Sequence, residues 1–402
     1  MKKIKYPCVA IDVSKGSSFY QGFIKMGGPF SKAKRIKHDL EGYETLLNLG
    51  NSLRDEYEDV RFIFESTGIY HKSLQQFLEE HEQKYIILNP LEASKIRKID
   101  LRSTKTDKKD CESIAKAYFL KEYRTYEKQE SFYETIQIMN RHYNFLIDQL
   151  RVLKVCFRNQ LDVVYPNFDE LYDNPYLLVP IAILKKYSHP EYLRNSKVKT
   201  IENYLVKTTT HRKRYSELEA KKLKEYSSKT QSGCHKDSVE ATILRNLIRT
   251  IEEKDKQLKL HLDTMKVMSK NSTLYRQLLT IPGIGENLAV RLVGELGDLS
   301  RFDNKRQLVA YAGIDPIVYQ SGKMTGEHLR ITKKGNKQLR TLLYLAVSSN
   351  IRCRKPNSIL DFYNKKRQQD KPLAYKTALI ACANKLLRII YSMHMSGELF
   401  RT

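Results

Sequence analysis

The chain has 402 residues, and its 71 Lys and Arg against 46 Asp and Glu give a formal net charge of +25 at pH 7 and a pI near 9.6. A charge of this size makes a polyanion the expected partner and indicates nucleic acid without saying which kind. No apolar run of about 18 residues appears, which excludes a membrane-spanning helix. The six cysteines form no CxxC pair, which excludes the usual zinc and redox motifs. We therefore expect a cytoplasmic protein with two or three domains.

The first 122 residues alternate segments typical of strands with segments typical of helices. The N-terminal MKKIKYPCVAID runs directly into a strand pattern, which argues against a cleaved signal peptide. The alternation predicts a mixed α/β layer structure for a domain over residues 1–122. The predicted elements are a strand ending at Asp12, a hairpin over Phe19–Met26, a helix over Leu40–Tyr57, a strand ending at Glu65, a helix from about Tyr70, a buried strand KYIILN, and a basic segment over Lys95–Lys109 that leads into a further helix.

Four carboxylates in this region have the residue types and order of a two-metal nuclease site. Asp12 and Glu65 each close a run of alternating apolar residues, so we expect Asp12 opposite the apolar face of its strand and Glu65 in a similar position. Asp107 and Asp110 are three residues apart, which places both on one face of a helix. Two divalent cations held by such oxygens can align the attacking and leaving oxygens of a phosphodiester. Mg²⁺ prefers carboxylate ligands, and Mn²⁺ suits the same oxygens.

Each carboxylate taken singly also has an ordinary structural interpretation. Asp and Glu are common at strand ends, and KTDKKD is equally typical of a solvated helix start with an Asp near its N-cap. The order and spacing of all four carboxylates favour the metal site.

From about Phe132 the apolar residues recur alternately every three and four positions, as in a coiled coil. One seam comprises Ile136, Met139, Tyr143, Leu146, Leu150, Leu153 and Phe157. A second seam, interrupted by Lys254 and His261, comprises Leu244, Leu247, Ile251, Leu258, Met265 and Met268. We predict two long helices within a region over residues 123–270, paired either as an antiparallel hairpin within one chain or as a coiled coil between chains.

The insert between these seams, at about residues 166–236, has little periodicity. It contains the basic run HRKRY at His211–Tyr215. This run is either a solvated helix face or a nucleic-acid contact.

The third region, over residues 271–402, is predicted to be mainly helical. It opens with LLTIPGIGENLAVRLVGELGD, in which Pro282–Gly285 joins two short helices. This pattern matches a helix-hairpin-helix, whose glycines let backbone N–H groups approach a phosphate, although a tight turn that needs glycine only for its geometry is the alternative. The candidate nucleic-acid contacts are Lys105, Gly283, Gly285, Lys323, Lys333, Lys334, Asn336 and Arg340.

A serine in this region, Ser321 of YQSGK, has two interpretations. On residue chemistry alone, the Ser-Gly pair is typical of a surface turn. Tyr311 and Tyr319 are alternative nucleophiles, but no evident Arg and His constellation of a tyrosine recombinase accompanies them.

Seven motifs occur here in the order seen in one transposase family: IDVSK, ESTGIYH, KTDKKD, IPGIG, AYAGIDP, QSG and KKGNKQLR. The chain resembles the DEDD insertion-sequence transposases, the family typed by insertion sequence one hundred and ten, which includes the Piv DNA invertase. The resemblance covers both ends of the chain and loosely the coiled-coil region, and it leaves the insert unmatched. It implies an RNase H-like, RuvC-like N-terminal domain. The resemblance further implies that the family's catalytic, metal-binding positions fall on Asp12, Glu65, Asp107 and Asp110.

The resemblance also implies a C-terminal transposase domain whose catalytic serine falls on Ser321. Attack by this serine at a Mg²⁺ site would leave a phosphoserine and conserve bond energy for rejoining. The implied partners are element-junction and target DNA, a noncoding bridge RNA that pairs with both, and further copies of the chain, as dimers that form tetramers at synapsis. The implied setting is a prokaryotic cytoplasm, in association with the nucleoid. Ser321 lies roughly 200 residues beyond Asp110. One shared active site therefore requires either that the chain folds back or that a second protomer supplies the serine.

Three other functions remain open. One is a site-specific invertase that acts on a fixed pair of sites. Another is a RuvC-like structure-specific endonuclease that uses water, which predicts hydrolysed ends and no protein–DNA adduct. The third is an inactive nucleic-acid scaffold, against which the retention of all four acidic positions and QSG argues.

Overall fold

The structure, a computed structural model, describes residues 5–66, 68–88, 107–121, 131–209, 212–317, 320–321, 324–325 and 330–401. The chain divides into two compact units, an N-terminal one over residues 1–128 and a C-terminal one over residues 129–402. Within the described ranges, no helix combines the length and the apolar character needed to cross a membrane.

A six-stranded sheet forms the centre of the N-terminal unit. Its strands are β1 (Cys8–Val13), β2 (Ser17–Lys25), β3 (Gly28–Pro29), β4 (Lys34–Lys37), β5 (Arg61–Glu65) and β6 (Tyr85–Leu88). The strand order is β3-β2-β1-β5-β6, and β4 also pairs with β2. β2 is antiparallel to β1, whereas β1, β5 and β6 are parallel to one another. The hairpin predicted over Phe19–Met26 is strand β2, which turns back into β3.

Helices cover both faces of this sheet. They are α1 (Leu40–Glu56), α2 (His71–Glu80) and α3 (Asp107–Leu120). On one face Leu46 of α1 and Leu74 of α2 lie in one core with Val9 and Phe62. On the other face residues of α3, among them Ile114, lie in a second core. The α/β layer structure predicted for this part of the chain is confirmed.

The C-terminal unit is predominantly helical, as predicted. Its described helices are α4 (Ser131–Val164), α5 (Leu178–Lys186), α6 (Pro190–Asn195), α7 (Val198–Thr208), α8 (Lys213–Lys229), α9 (Val239–Ser269), α10 (Thr273–Leu279), α11 (Glu286–Leu296), α12 (Lys305–Ala312), α13 (Lys337–Cys353), α14 (Ser358–Gln368) and α15 (Tyr375–Ser396). The short strands β7 (Gln320–Ser321) and β8 (Met324–Thr325) pair antiparallel.

The two predicted seams lie on α4 and α9, which pack against each other within the chain. The helices are antiparallel, because Gln160 donates a hydrogen bond to the Glu240 carbonyl at 3.1 Å while the His261 ring lies 2.8 Å from the Met139 carbonyl. His261 interrupts the apolar seam and bonds to the backbone of the opposite helix. Of the two arrangements that the sequence left open, the structure shows the hairpin within one chain.

The insert predicted to have little periodicity is folded into the helices α5 to α8. Phe168, Ile183, Leu205 and Leu223 are buried in one core with residues of α4 and α9. A period is hard to detect in the sequence because α5 and α6 span only nine and six residues. The described part of HRKRY, Arg212–Tyr215, is exposed at the start of α8.

The helices α10 to α15 share a second large core, in which Leu292 of α11, Leu343 of α13 and Leu386 of α15 are fully buried. This core extends to the first turns of α4, where Ile136 is also buried. None of the six cysteines, all of which lie within the described ranges, forms a disulfide.

Candidate functional site

Two of the four predicted carboxylates lie at the C-terminal ends of adjacent parallel strands. The register of β1 and β5 pairs Ile11 with Phe64, and the next residues along the two strands are Asp12 and Glu65. Because parallel strands end at the same edge of a sheet, these two carboxylates occupy neighbouring positions at that edge. Glu65 is 4% exposed, and Asp12 is half-buried.

Asp12 lies, as predicted, on the face of β1 opposite Val9 and Ile11, which are buried in the core with α1 and α2. Side chains alternate along a strand, so Asp12 lies on the face of Cys8 and Ala10, and both of these are fully buried in the core beneath α3. The face that carries Asp12 is itself apolar, because helices cover both faces of the sheet, as is usual where strands run parallel.

The other two predicted carboxylates lie in the first turn of α3, the helix that packs on this same face. Asp107 is the first residue of α3, and its side chain is outside the described residues. Asp110 is 5% exposed, and the next residue, Cys111, lies in the core with Cys8 and Ala10. The fold therefore brings Asp12, Glu65 and Asp110 to one side of one sheet.

These residues suit a divalent cation by their chemistry, because all of them offer carboxylate oxygens, the ligands of hard cations. Among the side chains that the structure describes, no three acidic, histidine or cysteine groups form a cluster that could hold a metal ion. The carboxylate of Asp107 is not among these side chains.

One buried titratable residue near this site was not predicted. His71, the first residue of α2, is 7% exposed, and its ring centroid lies 6.2 Å from that of Phe64. Burial and the adjacent Lys72 lower the pKa of its imidazole, which keeps the ring neutral near pH 7. Phe64 lies in the core on the opposite face from Ala10, so His71 packs with that core and not with the carboxylates.

In the C-terminal unit, the two glycines of the predicted phosphate-binding turn differ in their surroundings. Gly283 has a φ of +83° and lies against α13, so that a Cβ there would meet the backbone nitrogen of Asn350 at 2.4 Å. Gly285 is the N-cap of α11, is exposed, and has no atom within 4 Å of the point that a Cβ would occupy. The turn therefore needs Gly283 for helix packing, whereas Gly285 is exposed to solvent.

The basic stretch before α13 also divides into two groups. Lys333 and Lys334 are exposed. Asn336 is the N-cap of α13 and accepts a hydrogen bond from Leu339 N at 3.1 Å. The Arg340 Nη1 atom donates to the carbonyls of Ala312 and Gly335, each at 3.0 Å. The side chains of Asn336 and Arg340 thus form hydrogen bonds within the C-terminal unit, whereas the two lysines face solvent.

A buried carboxylate that the sequence analysis did not single out joins three helices. Glu295 of α11 is fully buried and accepts hydrogen bonds from Asn140 of α4 and from Asn336, each at 2.7 Å. Arg291 donates to Asn140 at 3.2 Å and to Asn144 at 2.8 Å. The signal in the sequence was a charged residue within the apolar run LAVRLVGEL.

The remaining predicted residues are only partly described. The backbone of Ser321 lies in the β7–β8 ribbon opposite Met324, and its side chain is outside the described residues. Lys105, Lys323 and the alternative nucleophile Tyr319 also lie outside them. The Tyr311 hydroxyl donates to the Glu295 carbonyl at 3.3 Å, so this tyrosine has a structural contact.

Both units match models of one protein family. A DEDD transposase model of the IS110 type matches residues 9–166, the range that holds all four acidic positions. A second model, described as the transposase IS116/IS110/IS902 family, matches residues 275–364, the range that holds Ser321. Together they cover more than half of the chain. A DEDD catalytic domain indicates a divalent-metal requirement.

Curated relatives agree with these matches. The chain is 24% identical to an uncharacterized 44.8 kDa protein of insertion element IS116 from Streptomyces clavuligerus, over 98% of this chain and 95% of that protein. It is 28% identical to the transposase for insertion sequence element IS1111A from Coxiella burnetii, over 40% of this chain and 43% of that protein. It is 33% identical to the pilin gene-inverting protein of Moraxella bovis, over 29% of this chain and 35% of that protein. Taken with the two family models, these similarities show that the chain belongs to the IS110-type DEDD transposase family and is a DNA transposase/recombinase of an insertion sequence.

Proposed function

We propose that this transposase cuts and rejoins DNA strands through a Mg²⁺-dependent acidic site and a covalent serine intermediate, with sequence choice delegated to a noncoding bridge RNA. The observation that carries the proposal is the position of Asp12 beside Glu65 at one edge of the sheet, on the face where α3 packs with Asp110 in its first turn. Asp107 is the fourth member of the proposed set.

The sheet supports an RNase H-like, RuvC-like domain. An antiparallel β1–β2 pair lies beside the parallel strands β1, β5 and β6, and the strand order is β3-β2-β1-β5-β6. Such an arrangement sets two carboxylates at the ends of neighbouring parallel strands and a helix across the same face. These are the positions that a two-metal phosphodiester site needs.

In the proposed reaction, Asp12, Glu65, Asp107 and Asp110 would hold the cations by their carboxylate oxygens. Bound there, Mg²⁺, or Mn²⁺ in its place, would supply Lewis-acid stabilisation of the charge that develops on the phosphate and would make a nearby hydroxyl easier to deprotonate. The buried position of Glu65 and Asp110 excludes bulk water from their side of the site. This exclusion strengthens the electrostatic interactions there.

Ser321 is the proposed nucleophile. Its hydroxyl loses its proton, its Oγ forms a bond to phosphorus, and the phosphorus–oxygen bond to the departing strand breaks. The departing strand takes a proton and leaves as a free hydroxyl, while the other end stays on the enzyme as a phosphoserine. The hydroxyl of a second DNA strand then attacks the phosphorus of this phosphoserine, and the bond from phosphorus to Ser321 Oγ breaks. Rejoining therefore needs no ATP.

The proposed partners are element-junction DNA, target DNA and a bridge RNA that pairs with both. When base pairing supplies the sequence choice, the protein needs contacts mainly to the phosphate backbone. The net charge of +25, the exposed Lys333 and Lys334 and the exposed turn at Gly285 suit this role. The turn between α10 and α11 is the proposed helix-hairpin-helix.

We further propose that the protein acts as a homo-oligomer, a dimer that forms a tetramer at synapsis. Support comes from a second apolar stripe on α4, at seven-residue spacing, that faces solvent. Ile138, Phe145 and Val152 are 61%, 55% and 64% exposed. Such spacing is that of a coiled-coil seam, and the helix already uses a different seam for α9.

A strand-transfer assay tests the chemistry. Purified protein is incubated with Mg²⁺, labelled junction and target DNA and total host RNA, and a denaturing gel reveals any protein–DNA adduct. Ser321→Ala should abolish the adduct, and Asp12→Ala should abolish cleavage while DNA binding is retained. Ser228→Ala and Asp255→Ala, which replace exposed residues of α8 and α9, are the matched controls.

The outcomes separate the candidate functions. Cleaved DNA without an adduct, unchanged by Ser321→Ala, would contradict the serine mechanism and favour the water-using endonuclease. Loss of DNA binding in Asp12→Ala would show that this residue maintains the fold. If RNase treatment of the host RNA leaves strand transfer intact, the RNA guide is wrong. An adduct that forms only on a fixed pair of sites would favour a DNA invertase, the activity named for the Moraxella relative.

A further inference from the structure

A cavity of about 490 Å³ lies in the C-terminal unit, where α4, α11, α13 and the start of α15 meet. Its volume is within the range of protein sites that hold small molecules. The described residues that line it include three tyrosines and two arginines but no acidic side chain. The tyrosines are Tyr143, Tyr344 and Tyr375, and the arginines are Arg291 and Arg352.

Two walls of this cavity are held at a fixed separation. The Asn350 amide of α13 donates a hydrogen bond to the Pro282 carbonyl at 2.7 Å, just before α11 begins. Gly283 lies against the backbone of α13 at Asn350 with no room for a side chain. These contacts fix α11 against α13, so the cavity is formed before any ligand binds.

Arg291 supplies a half-buried positive charge at one side of the cavity. Its guanidinium donates to the side-chain oxygens of Asn140 and Asn144 and lies 4.9 Å from the centre of the Tyr143 ring. Burial lowers the pKa of this guanidinium, although an arginine in a protein stays protonated. Neutral amides and a ring therefore orient the cation, while the interacting carboxylate, Glu295, bonds the far side of Asn140 and is not part of the cavity lining.

The opposite side is aromatic and more open. Tyr375 is 45% exposed, and it is held by an edge-on contact with Tyr363 at 6.5 Å between ring centres. Tyr344 is half-buried and Arg352 is exposed at the end of α13. Aromatic rings beside arginines are the combination on which unpaired bases stack and phosphates pair.

We propose that this cavity binds one unpaired nucleotide of a nucleic-acid strand, with its base against the tyrosines and its phosphate paired with Arg291 or Arg352. The site is separate from the proposed cutting chemistry, and binding there would persist if the serine mechanism failed. The bound strand is either DNA or RNA, because base and phosphate are common to both.

Equilibrium binding to the full-length protein tests this site. A fluorescein-labelled single-stranded DNA and an RNA of the same sequence are titrated in EDTA, so that no cleavage occurs, and anisotropy is read. Tyr375→Ala or Arg352→Gln should weaken binding of at least one strand by about fivefold or more. The strand affected identifies the source of the nucleotide.

Matched controls separate the cavity from general charge. Arg249→Gln removes the same charge from the exposed surface of α9 and so lowers the net charge of the protein by the same amount. Tyr192→Ala removes a tyrosine that is 37% exposed and lies outside the cavity. If the cavity variants bind both strands as tightly as these controls do, the proposal is overturned.

Photocrosslinking of the wild-type protein gives an answer that does not depend on variants folding. Oligonucleotides with 4-thiothymidine or 4-thiouridine are irradiated with the protein, and the crosslinked peptides are mapped by mass spectrometry. Adducts on peptides that contain Tyr344 or Tyr375 support the site. Adducts confined to other peptides on both strands contradict it, whatever the cleavage assay shows.

Discussion

Replacing Gly283 by alanine should destabilise the C-terminal unit, whereas the same change at Gly285 should not. Gly283 has a φ of +83°, and an added Cβ would lie 2.4 Å from Asn350 N and 2.6 Å from Asn350 Cα. Both contacts are to backbone atoms of α13, which cannot rotate away as a side chain could. Gly285 has a φ of −87° and open space at its Cβ position, so it is a matched control two residues away.

The magnitude follows from two separate costs. Placing an alanine in the left-handed region costs about 1–2 kcal/mol. Relieving the overlap by shifting α13 or the turn costs a further ~1–3 kcal/mol, as in other overpacked cores. The sum is roughly 2–5 kcal/mol in the free energy of unfolding, which for a unit of this size lowers Tm by about 4–20 °C.

Differential scanning calorimetry can measure this change, because a chain with two compact units can unfold in more than one transition. The transition of the C-terminal unit should fall in Gly283→Ala, and that of the N-terminal unit should stay where it is. Equal melting temperatures for Gly283→Ala and the wild type would refute the close approach of the turn to α13. Weaker DNA binding in Gly285→Ala, at unchanged Tm, would support a phosphate contact at the exposed glycine.

Three further predictions concern other parts of the molecule. Glu295→Gln replaces one acceptor oxygen by a donor beside the amides of Asn140 and Asn336, and it should destabilise the C-terminal unit by about 1–3 kcal/mol; chemical denaturation measures this, and an unchanged midpoint would contradict the buried network. Burial lowers the pKa of His71 in the folded state, so below about pH 6.5 the unfolded chain binds more protons than the folded chain does. The N-terminal unit should therefore lose stability as the pH falls through that value. His71→Gln should flatten the dependence of Tm on pH, and the same slope in both proteins would rule His71 out as the cause. Phe145→Lys charges the exposed stripe of α4 and should reduce self-association in analytical ultracentrifugation without changing Tm; an unaltered oligomer would place the interface elsewhere.

The sequence determined the elements of the catalytic domain and the chemistry of its candidate site. Alternating apolar residues before Asp12 and Glu65 predicted two strands, and the structure has β1 and β5 ending there or one residue later. Seams with a spacing of three and four residues predicted α4 and α9. These patterns could be recognised because strand and helix periods arise from neighbours a few positions apart.

Only the tertiary structure decided what each of these residues contacts. It showed that Asp12 lies on a buried face under α3, that α4 pairs with α9 inside one chain, and that Gly283 serves a helix contact. Asn336, predicted from its basic stretch to contact nucleic acid, donates its side-chain amide to Glu295, 41 residues away. Such contacts join residues far apart in sequence. They depend on which element packs over which face, and no local period contains that information.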